Sequence, residues 1–149
     1  MSEFSPSRPA RLRRSVLSVP AINRRALDKL SSLDCDAVIF DLEDSVSPEK
    51  KAEARENLRA FFAASPLPGK ERIIRINGLS SNFGAEDLAL VAELEPDAVL
   101  LPKVDDPQDV MVVGDWLAEA DAPESLRIWA MIETPRGILN AAAIAEAGR

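Results

Sequence analysis

The chain has 149 residues, 46% hydrophobic and 29% charged, so we expect one globular core and exclude disorder as the main state. The formal net charge of −7 argues against nucleic acid as the main partner, and no apolar run approaches the ~20 residues of a membrane span. The absence of histidine excludes Ser-His-Asp triads and the common zinc motifs. Because the N-terminus has no apolar signal region, we expect a cytoplasmic protein.

Apolar runs alternate with amphipathic stretches along the chain. Residues 1–14 are polar and interrupted by prolines, so we expect a flexible arm, followed by one ordered domain over 15–149. Apolar runs predict strands that begin near residues 15, 37, 72, 98 and 127. Helices are predicted after them at 23–33, 48–64, 83–94, 106–117 and from 134 onward. Ser47, Asp106 and Thr134, each followed by proline, are predicted N-caps of three of these helices.

The predicted strands and helices alternate strictly, which is typical of a parallel sheet. Two architectures remain open: a doubly wound open sheet, or the first part of a (βα)₈ barrel. The chain has no Gly-x-Gly-x-x-Gly and no phosphate-binding lysine loop, which weakens the nucleotide-binding version of the open sheet.

Every predicted strand ends in polar side chains, and the carboxyl ends of parallel strands form a single face. In chain order these are Ser18, then Asp41, Glu43 and Asp44, then Arg75 and Asn77, then Lys103 and Asp105, and finally Glu133. Because neighbouring side chains alternate across a strand, we expect Asp41 and Glu43 to point into the site and Asp44 to turn away or cap.

The charged strand ends have structural and functional interpretations. Arg75 lies between two isoleucines, where its guanidinium either forms an internal salt bridge or binds a substrate carboxylate or a developing oxyanion. Glu133 either caps the following helix or binds Mg²⁺, which prefers oxygen ligands. Lys103 either balances the neighbouring carboxylates or takes part in function.

The segment from Val38 to Glu43 superficially resembles the Asp-x-Asp motif of haloacid-dehalogenase phosphatases. Glu43 replaces the second aspartate, however, and the motif falls in the second strand–helix unit instead of the first. Asp105 and Asp106 do not form the expected downstream metal loop, because a new helix follows them.

A second resemblance extends over nearly the whole chain from Arg14. It is carried in order by segments 14–20 (RSVLSVP), 40–46 (FDLEDSV), 74–78 (IRING), 100–104 (LLPKV) and 132–138 (IETPRGI). Together they resemble the citrate lyase beta-subunit family of the HpcH/HpaI aldolase superfamily, which includes citryl-CoA and malyl-CoA lyases.

The resemblance implies a TIM (βα)₈ barrel that uses Mg²⁺ to cleave or form a carbon–carbon bond next to a CoA thioester. It implies that Glu133 is one of two carboxylate metal ligands, and that Arg75 holds the oxo-acid oxygen and the developing charge. Asp41 and Glu43 would order the water shell and neighbouring groups. Lys103, from the strand ends, is a candidate substrate-binding residue beside them. The basic residues of the first helix would meet the CoA phosphates; they are Arg24, Arg25 and Lys29.

A complete barrel needs roughly 200 residues or more. We therefore expect the first five βα units of a truncated TIM barrel, with the family's second metal-binding aspartate beyond residue 149. The expected function is Mg²⁺-dependent lysis of a 3-hydroxyacyl-CoA to acetyl-CoA and an oxo acid by a homo-oligomer, trimeric or larger. The alternatives are a CoA-independent hydroxy-acid or oxo-acid aldolase and a non-catalytic truncated barrel that acts by association.

Overall fold

The computed structural model describes residues 12–64 and 67–147, and in that part of the chain strands alternate with helices. The elements are β1 (Val16–Pro20), α1 (Arg24–Lys29), β2 (Ala37–Asp41), α2 (Lys51–Ala64), β3 (Glu71–Arg75), α3 (Gly84–Leu94), β4 (Ala98–Leu101), α4 (Pro107–Glu119), β5 (Arg127–Ala130), α5 (Pro135–Leu139) and α6 (Ala141–Glu146). Among these helices none is long and apolar enough to cross a bilayer. Residues 1–11 of the predicted arm lie outside the described residues, whereas Arg13 and Arg14 contact the sheet through Glu71 and Asp36.

The five strands form one parallel sheet in the order β1-β2-β3-β4-β5. Each strand pairs with the next strand in sequence. Val38 lies beside Arg72 in the β2–β3 pair, and Ile74 lies beside Val99 in the β3–β4 pair. A doubly wound sheet requires the strand order to reverse at a switch point, and this sheet has no reversal. The doubly wound alternative is therefore wrong, and the predicted α/β class with a parallel sheet is confirmed.

The alternation of side chains along each strand divides the sheet into two faces. The helix-covered face holds the main core, in which Phe40 and Ile74 are fully buried against residues such as Leu58. Burial of each such side chain contributes about 1.5–3 kcal/mol to folding. The opposite face holds a smaller cluster formed by Ala37, Ile73, Ala98 and Leu100, with Ile39, Trp129 and Met131 only partly buried beside it.

Local capping starts two of the predicted helices as expected. Asp106 accepts from Gln108 N at the start of α4, and Thr134 accepts from Gly137 N at the start of α5. Ser47 was predicted to cap α2 in the same way, but its hydroxyl contacts Glu49 instead and a 3₁₀ turn precedes the helix. The predicted helix after β5 is interrupted at Asn140, whose side-chain amide donates to Asp105 O, so α5 and α6 are separate.

Two glycines allow loops at the carboxyl edge of the sheet to pack backbone against backbone. A Cβ atom on Gly84 would lie 2.6 Å from Gly78 O, which closes the β3–α3 loop tightly. A Cβ atom on Gly137 would lie 2.3 Å from Val104 O, where α5 meets the segment after β4. Any larger residue at either position would displace the loops that surround the cleft described below.

Candidate active site

A cleft of about 750 Å³ opens at the carboxyl edge of the sheet, where the predicted polar strand ends gather. It lies between the turn after β2, the β3–α3 loop, the segment after β4 and the start of α5. The β3–α3 loop contributes polar and apolar residues, and charged side chains come from the other segments and from α2 and α4; they include Glu43, Asp44, Lys51, Lys103, Asp109 and Arg136. Asp44 thus shares the cleft with Glu43, although the sequence predicted that it turns away or caps.

Asp41 and Arg75 meet because β2 and β3 place them side by side in register. Arg75 Nε donates to Asp41 Oδ1 at 2.7 Å and Nη2 donates to Oδ2 at 2.6 Å, a bidentate pair. Burial alone would raise the pKa of Asp41, but the hydrogen bonds from Arg75, Ser45 and Glu43 N outweigh it and hold the pKa below its ordinary value. The same pair raises the pKa of Arg75, so both groups are charged at neutral pH.

Glu43 lies between two cations. Its Oε1 accepts from Lys103 Nζ at 2.6 Å, and its Oε2 lies 3.1 Å from Arg75 Nη1. The second contact is an ion pair without hydrogen-bond geometry, so Oε2 is a buried oxygen that accepts no hydrogen bond. Arg75 Nη1 has only one further contact in the described chain, with Met131 Sδ at 4.0 Å. Buried polar atoms are normally hydrogen-bonded, and this carboxylate–guanidinium contact has unused capacity on both sides.

Lys103 connects Glu133 to the acidic turn, the segment after β2 that contains Leu42, Glu43 and Asp44. Its backbone has a φ of 51°, a left-handed conformation that non-glycine residues rarely adopt. Its backbone N–H donates to Glu133 Oε1 at 2.8 Å, while its hydrogen bond to Glu43 raises the pKa of the ammonium group. Thr134, not Glu133, caps α5, so the capping interpretation of Glu133 is wrong. Glu133 is instead exposed beside Lys103.

The donor set around Glu133 is compatible with Mg²⁺ but does not form a complete cage. Its carboxylate supplies hard oxygen, and Mg²⁺ commonly takes one or two protein carboxylates while keeping several waters. Across residues 12–64 and 67–147, no group of three or more Asp, Glu, His or Cys side chains is arranged to hold a metal ion. Glu133 can therefore contribute one ligand, and the remaining positions would require other oxygen atoms.

Lys51 is a site residue that the sequence prediction missed. It is 6% exposed and donates from Nζ to Leu42 O at 2.7 Å and to Glu43 O at 2.6 Å. Burial lowers the pKa of this lysine, and the surrounding carboxylates partly offset the effect. The signal was a lysine on the same helical face as Ala54 and Leu58, three and seven residues away, where an apolar side chain is expected.

The basic residues of α1 are not brought into the cleft. Arg24 Nε donates to Asn57 Oδ1 at 2.9 Å and lies along a separate groove between α1 and α2. Arg25 and Lys29 are exposed on the same short helix. Asp105 also serves the fold, because it accepts from Thr134 Oγ1 and receives the Asn140 side chain through its carbonyl.

Comparison with known proteins gives one consistent result. The family model described as HpcH/HpaI aldolase/citrate lyase matches residues 14–149. A (3S)-malyl-CoA thioesterase of Cereibacter sphaeroides is 42% identical over 132 residues, which covers 89% of this chain and 44% of the relative. The citrate lyase subunit beta of Escherichia coli is 36% identical over 145 residues, covering 94% and 48%.

Solved structures agree with the sequence matches. The citrate lyase beta subunit of Mycobacterium tuberculosis, complexed with oxaloacetate and magnesium, has 32% identity and a TM-score of 0.71, covering 89% of this chain and 52% of that chain. Protein CitE of the same organism, in complex with magnesium, acetoacetate and coenzyme A, has 32% identity and a TM-score of 0.72, covering 91% and 46%. The chain spans about half the length of the curated relatives it matches. It belongs to the HpcH/HpaI aldolase/citrate lyase family.

Proposed function

We propose that the protein carrying this chain is a Mg²⁺-dependent carbon–carbon lyase that cleaves a 3-hydroxyacyl-CoA, such as citryl-CoA or malyl-CoA, to acetyl-CoA and an oxo acid. The observation that carries the proposal is the Arg75 guanidinium. One edge is anchored on Asp41, while Nη1 pairs with Glu43 Oε2 at 3.1 Å without hydrogen-bond geometry and otherwise contacts Met131 Sδ at 4.0 Å. A fixed cation with unused donors is what a developing enolate or carboxylate charge requires. Membership of the family supports the same class of reaction.

The five strands are, in this proposal, the first five βα units of a TIM (βα)₈ barrel. Support comes from the sequential strand order, which a barrel requires. It also comes from the face of the sheet away from the helices, where Ile39, Trp129 and Met131 remain partly exposed. In a barrel these positions would point toward the interior and contact further strands.

Glu133 would provide a carboxylate ligand to Mg²⁺. The backbone N–H of Lys103, which donates to Glu133 Oε1, would fix the orientation of the carboxylate. The ion supplies Lewis-acid polarisation of the oxo-acid carbonyl when bound. Arg75 Nη1 would hold a substrate oxygen and stabilise the negative charge that develops as the carbon–carbon bond breaks. Such stabilisation acts more strongly on the transition state than on the bound substrate, which is the condition for catalysis.

Asp41 and Glu43 would position Arg75 and order nearby water. Lys103 is 57% exposed in its side chain and could contact substrate while it holds Glu43. We also propose that Arg24, Arg25 and Lys29 meet the phosphates of CoA outside the cleft, beside the separate groove between α1 and α2. No histidine is needed in any of these roles, in agreement with the composition.

Hydrolysis of the thioester is a second candidate function, because a relative with 42% identity is a (3S)-malyl-CoA thioesterase. Hydrolysis would release free CoA and a hydroxy acid and would leave the carbon skeleton intact. The two reactions use the same substrate class and differ in which bond breaks, so their products distinguish them.

The test is product analysis with the full-length protein, malyl-CoA and Mg²⁺. We expect acetyl-CoA and an oxo acid in equal amounts, with loss of turnover on addition of EDTA. Free CoA with malate would assign the thioesterase instead. Turnover of a free hydroxy acid without CoA would assign the aldolase alternative, and no turnover of any of these substrates would favour a non-catalytic protein that acts by association.

A further inference from the structure

Lys51 occupies a position that local rules disfavour. It is the first residue of α2, where the helix dipole repels a cation, and it is buried. A residue that violates two local preferences at once is commonly retained for a role in a site. Within the described residues its ammonium group donates hydrogen bonds to the backbone of the acidic turn, at Leu42 O and Glu43 O.

The acidic turn is held from a second direction by a buried polar chain. Asn77 Nδ2 donates to Leu42 O at 2.9 Å, and Asp87 Oδ2 fixes Asn77 through both its side chain and its backbone N–H. Arg55 Nε then donates to Asp87 Oδ1 at 2.7 Å. Leu42 O thus keeps a donor if Lys51 is removed, whereas Glu43 O keeps only the longer contact of 3.2 Å from Val46 N.

The charge of Lys51 also complements its surroundings. Asp41, Glu43, Asp44 and Asp87 all act on it electrostatically, and the Phe83 ring lies 5.6 Å from its Nζ. The lysine is therefore a buried counter-charge at the backbone of the turn, while Arg75 and Lys103 pair with the Glu43 carboxylate of the same turn.

We propose that Lys51 is a positioning residue that fixes the Leu42–Glu43 backbone, so that the Glu43 carboxylate stays between Arg75 and Lys103. This geometric role stands without the proposed lyase activity; only its kinetic consequence rests on that function. Without the ammonium group, Glu43 O would accept hydrogen bonds from water instead, and the turn would be free to rotate. Glu43 would then move away from Arg75, and Nη1 would lose its 3.1 Å contact with Glu43 Oε2.

The test compares Lys51→Met, which keeps the aliphatic stem, with Lys50→Met as a matched control in the full-length protein. Lys50 is the exposed neighbour, paired with Glu53 at 2.7 Å. NMR would record the Arg75 Nε–H signal and the hydrogen exchange of Ser45 N–H, which donates to Asp41 Oδ2. Val113→Ala, which removes part of a buried side chain of α4, controls for a general loss of stability.

We expect Lys51→Met to shift the Arg75 signal and to accelerate Ser45 exchange at least tenfold more than Val113→Ala does, with Lys50→Met unchanged. Lys51→Gln, which keeps one donor, should give an intermediate result and decides the question if Lys51→Met does not fold. An Arg75 signal and Ser45 exchange equal to those of Val113→Ala would overturn the proposal. None of these readouts requires turnover, so a failed lyase assay leaves them valid. Where turnover is present, kcat should fall more than KM rises.

Discussion

The two edges of the sheet carry the same kind of ion pair in different arrangements. At the amino edge, Arg13 forms a bidentate pair with Glu71, and Arg14 pairs with Asp36. Each of these arginines is paired with one carboxylate and is itself exposed. At the carboxyl edge, Arg75 contacts both Asp41 and Glu43, and its side chain is only 14% exposed.

The difference lies in how fully the charged atoms are satisfied. Both oxygens of Glu71 accept a hydrogen bond from Arg13. At the carboxyl edge, Glu43 Oε2 accepts no hydrogen bond, although Arg75 Nη1 lies 3.1 Å away, and in the described residues Nη1 donates only toward Met131 Sδ at 4.0 Å. An ion pair whose oxygen atoms all accept hydrogen bonds stabilises the fold. A buried pair with unused donors and acceptors can in addition bind a further group. The type of residue therefore says less about function than the degree of saturation.

The largest expected effect is on turnover in Arg75→Lys. A lysine keeps the charge but cannot hold both oxygens of Asp41 and still present a donor beside Glu43. Turnover of the thioester should fall by about 10²–10³-fold, the typical effect of losing a group that stabilises developing charge. Steady-state assays of the full-length protein measure it.

Arg13→Lys at the amino edge is the matched control, and it should leave turnover unchanged. Equal losses in the two variants would mean that Arg75 only supports the fold. An active Arg75→Lys protein with unchanged kcat would remove the guanidinium from the proposed chemistry.

The second effect is on stability and compares Arg75→Ala with Arg14→Ala. Removal of Arg75 leaves Asp41, with a side chain 2% exposed, as a buried charge without its partner. The free energy of unfolding should fall by about 3–5 kcal/mol, the usual cost of breaking a buried pair. Denaturant unfolding at neutral pH measures it.

Arg14→Ala should cost far less, because its guanidinium is 80% exposed and water replaces the lost partner. A similar loss in both variants would contradict the contrast between the two edges. In that case burial of the pair at the carboxyl edge would not be energetically distinct.

The sequence predicted the order and type of the strands well because those signals are local. A few neighbouring residues are enough to recognise an apolar run or the polar residues that follow a strand. The same holds for helix caps such as Asp106 and Thr134. The family resemblance added the roles expected of Arg75 and Glu133, which local patterns alone could not assign.

The contacts within the cluster could not be predicted because they depend on register and docking. Asp41 and Arg75 are 34 residues apart and meet only through the pairing of β2 with β3. The helical pattern places Lys51 on the apolar face of α2, but its hydrogen-bond partners depend on how α2 docks on the acidic turn, which no pattern inside the helix specifies. Ser47 fails as a cap because its hydroxyl contacts Glu49, a competition between two local partners.

A third, smaller effect is expected for Glu133→Gln. The amide keeps an oxygen to accept from Lys103 N–H, so the left-handed backbone there should persist. It loses the charge that attracts Mg²⁺, and affinity for the ion should fall by about 10–100-fold, the range found even for groups that only support metal ligands. Isothermal titration with MgCl₂ measures it, with Glu71→Gln at the amino edge as the control. Unchanged Mg²⁺ affinity would exclude Glu133 as a ligand.

The smallest expected effect is an acid-dependent one at the amino edge. Hydrogen bonds from Arg14 and from the backbone of Ser15 lower the pKa of Asp36 to about 2. Because the folded pKa lies below the ordinary value of about 3.9, this carboxylate stabilises the protein above about pH 4, and the contribution disappears as the pH falls toward 2. Unfolding of the wild type and of Asp36→Asn should therefore differ at pH 5 and converge near pH 2. Added salt should narrow the difference at pH 5, since the pair is exposed. A difference that stays constant over this pH range would show that Asp36 acts through hydrogen bonds that do not depend on its charge.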